Sequence, residues 1–140
     1  VKDKRFVFGR LTVENLKLVD SKGRLIKVDV LKAQPSLEEI LIPQEFGLFQ
    51  NYPNPFNLET WIPYQLSSEA EVIIRIYDMN GRIVRSLNLG HKQAGCYLSK
   101  NRAAYWDGRN ELGEEVASGV YLYTIQAGKF TAVRRMIVIR

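Results

Sequence analysis

Apolar residues recur at every second position along much of this chain, and glycine-containing turns separate the alternating segments. A period of two is that of a β-strand with one buried face. The clearest example is "AEVIIRIYDM", which "NGR" joins to "IVRSLNLG", and Asn80 with Gly81 predicts a type I′ hairpin turn. "GVYLYTIQAG" and "KFTAVRRMIVIR" follow, joined at Gly128 and Lys129. No segment has an amphipathic-helix period of useful length, so we predict an all-β antiparallel sandwich of about seven strands.

The alternation also predicts a core, although some strands are apolar on both faces. In "AEVIIRIYDM" one face carries the aliphatic residues Val72, Ile74 and Ile76, whereas the other face carries Arg75. In "GVYLYTIQAG" the pattern alone does not decide which face is buried. "TWIPYQL" contains Pro63, which has no N–H for a ladder and therefore predicts an edge strand. The core residues that we predict are Val72, Ile74, Ile76, Val120, Leu122, Ile137 and Ile139.

The N-terminal part predicts a separate unit. Residues 3–32 read as one β-hairpin: a strand in "RFVFGRLTVENLKLV", the turn "DSKGR" and the return strand "LIKVDVLK". The alternation slips in phase at Glu14 and Asn15, which predicts a bulge or a short break. Pro35 and Pro43 bracket the next segment, where "SLEEI" allows one helical turn capped by Ser36. We therefore predict a hairpin at 1–34 that ends a preceding β domain, a linker at 35–45 and the main domain at 46–140.

Composition argues against several functions. The formal charge of +5 is mild and spread along the chain, so we expect no nucleic-acid partner. Cys96 is the single cysteine and His91 the single histidine, which leaves no internal disulfide and no zinc ligand set. Four carboxylates lie in what reads as an exposed turn and lack the calcium-loop spacing: Asp107, Glu111, Glu114 and Glu115. We predict no enzyme activity, no metal and no cofactor.

Aromatic residues leave one binding alternative open. Trp61 and Trp106, with Tyr64, Tyr97 and Tyr105, could form a platform on which sugar rings stack. The competing interpretation places Trp106 at the end of the sandwich and Trp61 against an edge, as structural aromatics. The glycines favour structural loops: Gly108 and Gly113 frame the segment around Trp106 and Asp107, and Gly119 begins the strand "VYLYTI".

"NYPNPFN", residues 51–57, combines prolines, asparagines and aromatics in a way that neither a linker nor a core strand does. Pro53 and Pro55 fix their own φ and bias the residues before them, which predicts a rigid extended segment. The three asparagines can bond to backbone groups that have no strand partner. The two aromatics can pin the segment to the sandwich. The residues with these roles are Asn51, Tyr52, Asn54, Phe56 and Asn57.

Four blocks in order carry a family resemblance: "FQNYPNPFN-ETWIPYQL", "VIIRIYDMNGRIVRSL", "AGCYLSKNRAAYWDGRNELGEEVASGVYLYTIQAG" and "KFTAVRRMIVIR". From Phe46 to Arg140 they resemble the C-terminal sorting domain of the type IX secretion system, type A. They are also similar to the immunoglobulin-like module of flagellar hook-capping proteins. Two positions depart from the sorting-domain pattern, since Leu58 stands where that family usually has Pro and Arg135 where it has Lys.

The resemblance implies an Ig-like fold and a non-catalytic role as a secretion signal on an exported protein. Its implied partners are the outer-membrane secretion machinery and surface lipopolysaccharide, and its implied location is the medium or outer surface of a Gram-negative-type bacterium. The recognition residues that it implies are Asn51, Tyr52, Pro53, Asn54, Pro55, Phe56, Asn57, Arg134, Arg135 and Met136.

Two alternatives remain beside the sorting role. The hook-capping resemblance implies a structural Ig-like module that joins domains or subunits. "LTVENLKLVDSKGRLIKVDV" resembles the end of a cohesin-like domain, which implies that residues 3–32 pair with an edge strand of another domain or chain. A sugar-binding module is the remaining alternative.

Overall fold

The computed structural model describes residues 6–8, 11–14, 17–20 and 37–140. Antiparallel strands dominate this part of the chain, as predicted, and a helix of one turn precedes the main domain. In the part of the chain that is described, no helix is long and apolar enough to cross a membrane. The elements are β1 (Phe6–Phe8), β2 (Leu11–Glu14), β3 (Lys17–Asp20), α1 (Leu37–Ile40), β4 (Gly47–Leu48), β5 (Thr60–Ile62), β6 (Tyr64–Leu66), β7 (Ala70–Tyr77), β8 (Ile83–Lys92), β9 (Gly95–Tyr97), β10 (Ala104–Trp106), β11 (Gly119–Ala127) and β12 (Phe130–Val138).

The first three strands correct the predicted hairpin. They form an antiparallel sheet in the order β1-β2-β3, in which Glu14 pairs with Lys17. The phase slip at Glu14 therefore marks a break between two strands, as one of the two predicted alternatives had it, and not a bulge in one long strand. The two strands pair with each other, as short strands that are neighbours in sequence readily do. Asp20, the first residue of the predicted turn, ends β3. The rest of that turn and the return strand, residues 21–32, and the predicted cap Ser36 lie outside the described residues. The helical turn predicted in "SLEEI" is confirmed as α1.

One layer of the main domain is a four-stranded antiparallel sheet in the order β12-β11-β7-β8. Hairpins join β7 to β8 and β11 to β12, and β11 crosses back to pair with β7. In that pairing Tyr123 lies opposite Ile76 and Ile125 opposite Ile74. Side chains directly opposite in a ladder point to the same face, so these pairs fix which side of β11 faces the core.

The other layer consists of the ladders β4-β6-β9 and β5-β10. "TWIPYQL" was predicted as one edge strand, and this is wrong: Pro63 divides it into β5 and β6, and β6 lies in the middle of its ladder. The missing N–H explains the break. Pro63 still contributes its carbonyl, which accepts a hydrogen bond of 3.0 Å from the N–H of Phe49. With these divisions the main domain has nine strands, more than the seven predicted.

Buried side chains from both layers form one hydrophobic cluster. The predicted face of β7 is confirmed, since Val72, Ile74 and Ile76 are fully buried. The faces predicted for β11 and β12 are wrong. Val120 and Leu122 are half-buried, and Ile137 and Ile139 are exposed. Because of the register with β7, the residues that fill the core are Tyr121, Tyr123, Ile125, Ala127, Met136 and Val138.

The "NGR" hairpin also differs from its prediction. Its loop has three residues, 79–81, closed by bonds from the N–H of Gly81 to Asp78 and from the N–H of Asp78 to Arg82. The carboxylate of Asp78 accepts the N–H groups of Asn80 and Arg82 at 2.9 and 3.0 Å. Gly81 has φ of +84°. This is the turn with a left-handed bulge residue and not the two-residue type I′ turn, and the carboxylate of Asp78 supports it.

Candidate functional site

The opening segment, residues 50–57, crosses from one layer of the sandwich to the other. Tyr52 forms an antiparallel bridge with Trp61 of β5, and four residues later Phe56 forms a parallel bridge with Val138 of β12. The predicted rigid extended segment is therefore wrong, because the chain must bend through 53–55 to reach both ladders. The peptide bonds before Pro53 and Pro55 are both cis.

The far end of this segment covers the edge of the closing strand β12. The N–H of Phe56 donates to the carbonyl of Ile137 at 3.0 Å, and the N–H of Ile139 donates to the carbonyl of Phe56 at 2.8 Å. The side-chain Oδ1 of Asn54 accepts the N–H of Ile137 at 2.9 Å. Gln50 Nε2 donates to the carbonyl of Arg135 at 2.8 Å. The two ends of the predicted recognition set are thus one continuous hydrogen-bonded unit.

Asn51 anchors the start of the opening segment through hydrogen bonds of its side chain. Its side chain is buried, and Nδ2 donates to the Oγ1 of Thr60 at 2.9 Å and to the carbonyl of Pro53 at 3.2 Å. Its Oδ1 accepts from Gln50 Nε2 at 2.6 Å. Buried polar groups are costly unless they are bonded, and Asn51 meets this condition through groups of its own segment and of β5. The predicted bonding role of Asn51 and Asn54 is confirmed, whereas the exposed side chain of Asn57 makes no hydrogen bond in the described part of the chain.

Tyr123 links the opening segment to the sheet. Its hydroxyl donates to the carbonyl of Phe49 at 2.7 Å and accepts the N–H of Asn51 at 2.9 Å. The side chain is fully buried, and this burial raises the pKa of the phenol to about 12. Sequence reasoning placed Tyr123 on the outer face. No sequence signal identifies it, because the choice of buried face depends on the register of β11 with β7.

Phe56 and Trp106 form the aromatic contact at the end of the sandwich. Both are buried, and their rings meet edge to face with centroids 5.5 Å apart. Trp106 Nε1 donates to the carbonyl of Arg109 at 2.9 Å, which satisfies the indole. The structural interpretation of Trp106 is therefore confirmed. Phe56 pins the segment as predicted, but it does so from a position that no partner protein can reach.

The loop after Trp106 is held by Asp107 and Gly108. Asp107 Oδ1 accepts the N–H of Arg109 at 3.1 Å and Arg85 Nη1 at 3.2 Å. Gly108 has φ of +71°, and a Cβ there would lie 3.0 Å from Arg140 Nη2. A side chain is strained at this φ, and its Cβ would also lie 3.1 Å from the backbone carbonyl of Leu58. These residues, like Gly113, shape a loop and have no contact with the edge of β12.

Arg140 is a site residue that the sequence reasoning missed. Its guanidinium donates to the carbonyls of Asn57, Val116 and Gly108, the last at 2.7 Å. It therefore ties the end of the opening segment to the loop after Trp106. A single basic residue at the end of an apolar strand gave no signal for this role, because the three carbonyls come from distant parts of the sequence.

Three consecutive residues of the closing strand, Arg134, Arg135 and Met136, lie in three different environments. Met136 is fully buried in the core. Arg134 is exposed, but its Nε donates to the carbonyl of Leu48 at 2.6 Å and so ties β12 to β4. Arg135 is exposed on the outer face, beside the groove described below. Of the three, Arg135 is the one whose charged side chain is exposed to solvent and makes no hydrogen bond within the described residues.

Helix α1 is attached to the domain through Glu38. The carboxylate accepts the N–H groups of Leu98 and Ser99, the latter at 2.8 Å. Partial burial raises the pKa of Glu38, but the two N–H donors and the nearby Arg102 outweigh it and lower the pKa overall. Tyr52 reaches the same loop, since its hydroxyl donates to the carbonyl of Leu98. Helix α1 is thus bonded to the main domain.

The five aromatic residues that could have formed a sugar platform do not come together on one surface. Trp106, Tyr64 and Tyr97 are buried, and the rings of Tyr64 and Tyr97 stack on each other at 4.8 Å. Trp61 and Tyr105 remain at the surface with ring centroids 5.6 Å apart. Lys100 Nζ lies 4.3 Å from the centroid of Trp61 and covers that ring. Of the five rings, only those of Trp61 and Tyr105 are therefore at the surface, and Lys100 covers one face of Trp61.

Among the described residues, no group of three or more His, Cys, Asp and Glu side chains could hold a metal ion. Cys96 is buried, and this burial raises the pKa of its thiol. His91 faces carboxylates and not the thiol: its Nε2 lies 3.0 Å from Glu69 and its Nδ1 lies 3.6 Å from Glu71. The two side chains occupy separate environments.

Comparisons with known proteins identify the fold family. A search of curated proteins gives no significant match. Among solved structures, the chain is similar to PorU from Porphyromonas gingivalis, described as dimeric and latent, with a TM-score of 0.50, 22% identity and coverage of 71% of this chain and 10% of PorU. At this identity the likeness shows a shared fold.

Two further structures are more distant. PorZ, described as an essential surface component of the type-IX secretion system of P. gingivalis, matches with a TM-score of 0.45, 19% identity and coverage of 94% of this chain and 20% of PorZ. FlgD from P. aeruginosa matches with a TM-score of 0.42, 18% identity and coverage of 69% of this chain and 67% of FlgD. The chain spans about a tenth of PorU and a fifth of PorZ.

The sequence itself matches a family over residues 59–129, from the residue before β5 to the turn between β11 and β12. This range covers half of the chain and includes the turn at Gly81 and the loop after Trp106. It agrees with the antiparallel sandwich described above, and it indicates no enzymatic family. The chain belongs to the FlgD Ig-like domain family.

Proposed function

We propose that residues 46–140 are a non-catalytic C-terminal sorting domain, which directs secretion and cell-surface attachment of the protein that carries it. The partners are the outer-membrane secretion machinery and surface lipopolysaccharide, and the location is the medium or the outer surface of a Gram-negative-type bacterium. Residues 1–34 end a preceding β domain, and 35–45 join it to the sorting domain. Residues 3–32 pair with an edge strand of another domain or chain.

One observation carries the proposal. The blocks that distinguish the sorting-domain resemblance from a general Ig-like resemblance are "NYPNPFN" and "RRMIVIR", which stand at opposite ends of the domain. They lie outside residues 59–129, the range shared with the family. In the structure they are bonded to each other through Asn54, Phe56, Ile137 and Ile139. A receptor that contacts this edge would thereby recognise both blocks only in the folded domain.

The experiment is a secretion assay. A fluorescent reporter with a periplasm-directing signal peptide is fused before the 140-residue chain and expressed in a bacterium that has the type IX machinery. The reporter is then quantified in the periplasm, on the outer surface and in the medium. We expect export of the fused reporter, and retention of the reporter alone.

Charge-reversed variants separate recognition from folding. Arg135→Glu changes an exposed side chain at the joined edge, and we expect it to reduce export. Lys129→Glu makes the same charge change in the β11–β12 turn, about 20 Å away along the strand, and we expect normal export. Retention of the unmodified fusion in the periplasm, with its domain folded by circular dichroism and protease resistance, would contradict the sorting role.

The alternative is a structural Ig-like module that joins domains or subunits. Membership of the FlgD Ig-like domain family is compatible with it, because the match covers residues 59–129 and neither terminal block. The same assay distinguishes the two, since a structural module would leave the reporter in the periplasm whichever residue stands at position 135.

A further inference from the structure

The edge of β12 is covered over only part of its length. Alternate residues of an edge strand direct their N–H and C=O groups away from the sheet. In β12 these are residues 131, 133, 135 and 137, because Ile137 bonds to the opening segment and not to β11. The opening segment takes up the carbonyl of Arg135 and both groups of Ile137. Within residues 37–140, the N–H groups of Val133 and Arg135 and the carbonyl of Val133 have no partner.

The opposite edge of the same sheet is protected where it approaches the loop after Trp106. The N–H of Glu111 donates to the carbonyl of Val84 at 3.1 Å, and the carboxylate of Glu111 accepts the N–H of Ser86 at 2.7 Å. Glu111 thus bonds to backbone groups of β8 that point away from the sheet, as a neighbouring strand would. The contrast indicates that the uncovered stretch of β12, which we call the open edge (residues 131–135), is a distinct feature of this sheet.

A groove lies beside the open edge. It has a volume of about 560 Å³, and its apolar lining is Leu122, Val133 and Ile137. Gln50 and Asn54 line the end of the groove that lies next to the opening segment. An added strand would place alternate side chains over the outer face of the sheet, and its backbone would continue the edge pairing that the backbone of Phe56 begins.

The charge at the open edge is positive. Arg134 and Arg135 line the groove, and no carboxylate does. From Val116 to Arg140 the sequence has no Asp or Glu but has Lys129 and three arginines. A second copy of this chain, paired edge to edge at Val133, would bring these arginines close to their counterparts, and like charges across a ladder are unfavourable. The complementary occupant is therefore acidic.

We propose that the open edge binds an extended acidic segment of a partner protein, which adds to β12 as a strand beyond the end of the opening segment. Main-chain bonds to Val133 and Arg135 hold the segment, and its carboxylates pair with the guanidinium of Arg135. This inference rests on the proposed function, because it names the chemistry of the partner that recognises the domain, but it is tested by binding alone.

The probes are two capped peptides of roughly eight residues, a usual strand length, one alternating Val with Glu and the other Val with Lys. Each is titrated into the isotopically labelled 140-residue chain, and amide hydrogen exchange is followed by NMR. We expect the acidic peptide to slow exchange at Val133 and Arg135 by at least about tenfold, because these groups become bonded. The basic peptide should leave both amides unchanged.

Three variants test the geometry. Val133→Pro removes an outward N–H without removing a bond to β11, which proline tolerates at an edge, and it should weaken acidic-peptide binding by about fivefold. Arg135→Glu should weaken it by about tenfold or more, and Lys129→Glu by less than about twofold. If Val133→Pro does not fold, Arg135→Glu and Lys129→Glu carry the test.

Equal protection by both peptides, protection elsewhere on the sheet, or no protection would overturn the inference. Self-association of the free chain that Val133→Pro abolishes would also overturn it, in favour of a second copy. Reporter export without peptide binding would leave the sorting role in place and remove this inference. Peptide binding without export would do the reverse.

Discussion

Asn54 Oδ1 accepts the backbone N–H of Ile137 at 2.9 Å, across 83 residues of sequence. With the two bonds between Phe56 and the same strand, this contact replaces the strand that β12 would otherwise have at its edge. An asparagine side chain has an acceptor of the same kind as a peptide carbonyl, and it can thereby satisfy one strand group without adding a strand. The opening segment is thus an edge cover for the closing strand.

Asn54→Ala should lower the free energy of unfolding by about 1 kcal/mol, because it leaves one edge N–H to be satisfied by water. The matched control is Asn57→Ala. Asn57 is an exposed asparagine of the same segment whose side chain has no bond in the described residues, so its loss should cost less than about 0.5 kcal/mol. Urea unfolding of both variants makes the comparison, and equal midpoints would count against the role of Asn54.

Tyr123→Phe should destabilise the domain by about 1–3 kcal/mol, the usual cost of leaving buried groups unbonded. The lost hydroxyl serves both the carbonyl of Phe49 and the N–H of Asn51. Tyr121→Phe is the control, because that hydroxyl serves the carbonyl of Ala117 alone at 2.8 Å. In thermal unfolding, Tyr123→Phe should have a lower midpoint temperature than Tyr121→Phe. The opposite order would contradict the two bonds assigned to the Tyr123 hydroxyl.

The raised pKa of Tyr123 predicts an alkaline loss of stability. The folded value of about 12 lies above the ordinary value of 10.0, so the unfolded chain loses this proton first as pH rises. Stability is therefore complete below pH 10 and falls as pH rises towards 12. Tyr123→Phe should show a shallower fall over the same interval, which chemical unfolding at several pH values measures. Parallel curves would contradict the assignment.

The two adjacent arginines should differ in stability tests. Arg134→Glu removes the bond to the carbonyl of Leu48 and should cost about 1 kcal/mol. Arg135→Glu should change the free energy of unfolding by less than about 0.5 kcal/mol, as exposed substitutions usually do. Denaturant titrations of both variants test this, and a larger loss for Arg135→Glu would show that the roles are reversed.

Attachment of helix α1 should weaken in acid. The folded pKa of Glu38 lies below its ordinary value of 4.5. Its carboxylate therefore adds stability above that value, and the contribution is lost as pH falls through the lower folded pKa. The amides of Leu98 and Ser99 should lose protection as pH falls below 4.5, whereas Glu38→Gln should show little change there. Unchanged protection in the unmodified chain would argue against this bond.

The sequence alone was sufficient for the fold class, because a period of two with glycine turns is a local signal. The buried faces of β11 and β12 were not predictable in this way. Both strands are apolar on each face, and the choice is made by the register with β7, which places Tyr123 opposite Ile76. Such a register is a property of two strands far apart in sequence.

In the candidate site, too, local features were predictable from the sequence and long-range contacts were not. The unusual composition of "NYPNPFN" indicated a built segment, and its asparagines were expected to bond to unpaired backbone. Its bent path could not be predicted, because it depends on Trp61 and Val138 lying in different ladders. The burial of Met136 and the bond of Arg134 likewise depend on the final position of β12, so these two residues were grouped with Arg135 although their environments differ.

The most direct test of the edge cover is amide hydrogen exchange along the closing strand of the chain without added peptide. The N–H groups of Ile137 and Ile139 bond to the opening segment, whereas those of Val133 and Arg135, on the same edge, have no partner within residues 37–140. The edge-cover account predicts that Ile137 and Ile139 exchange at least about tenfold more slowly than Val133 and Arg135. Similar exchange at all four amides would contradict it.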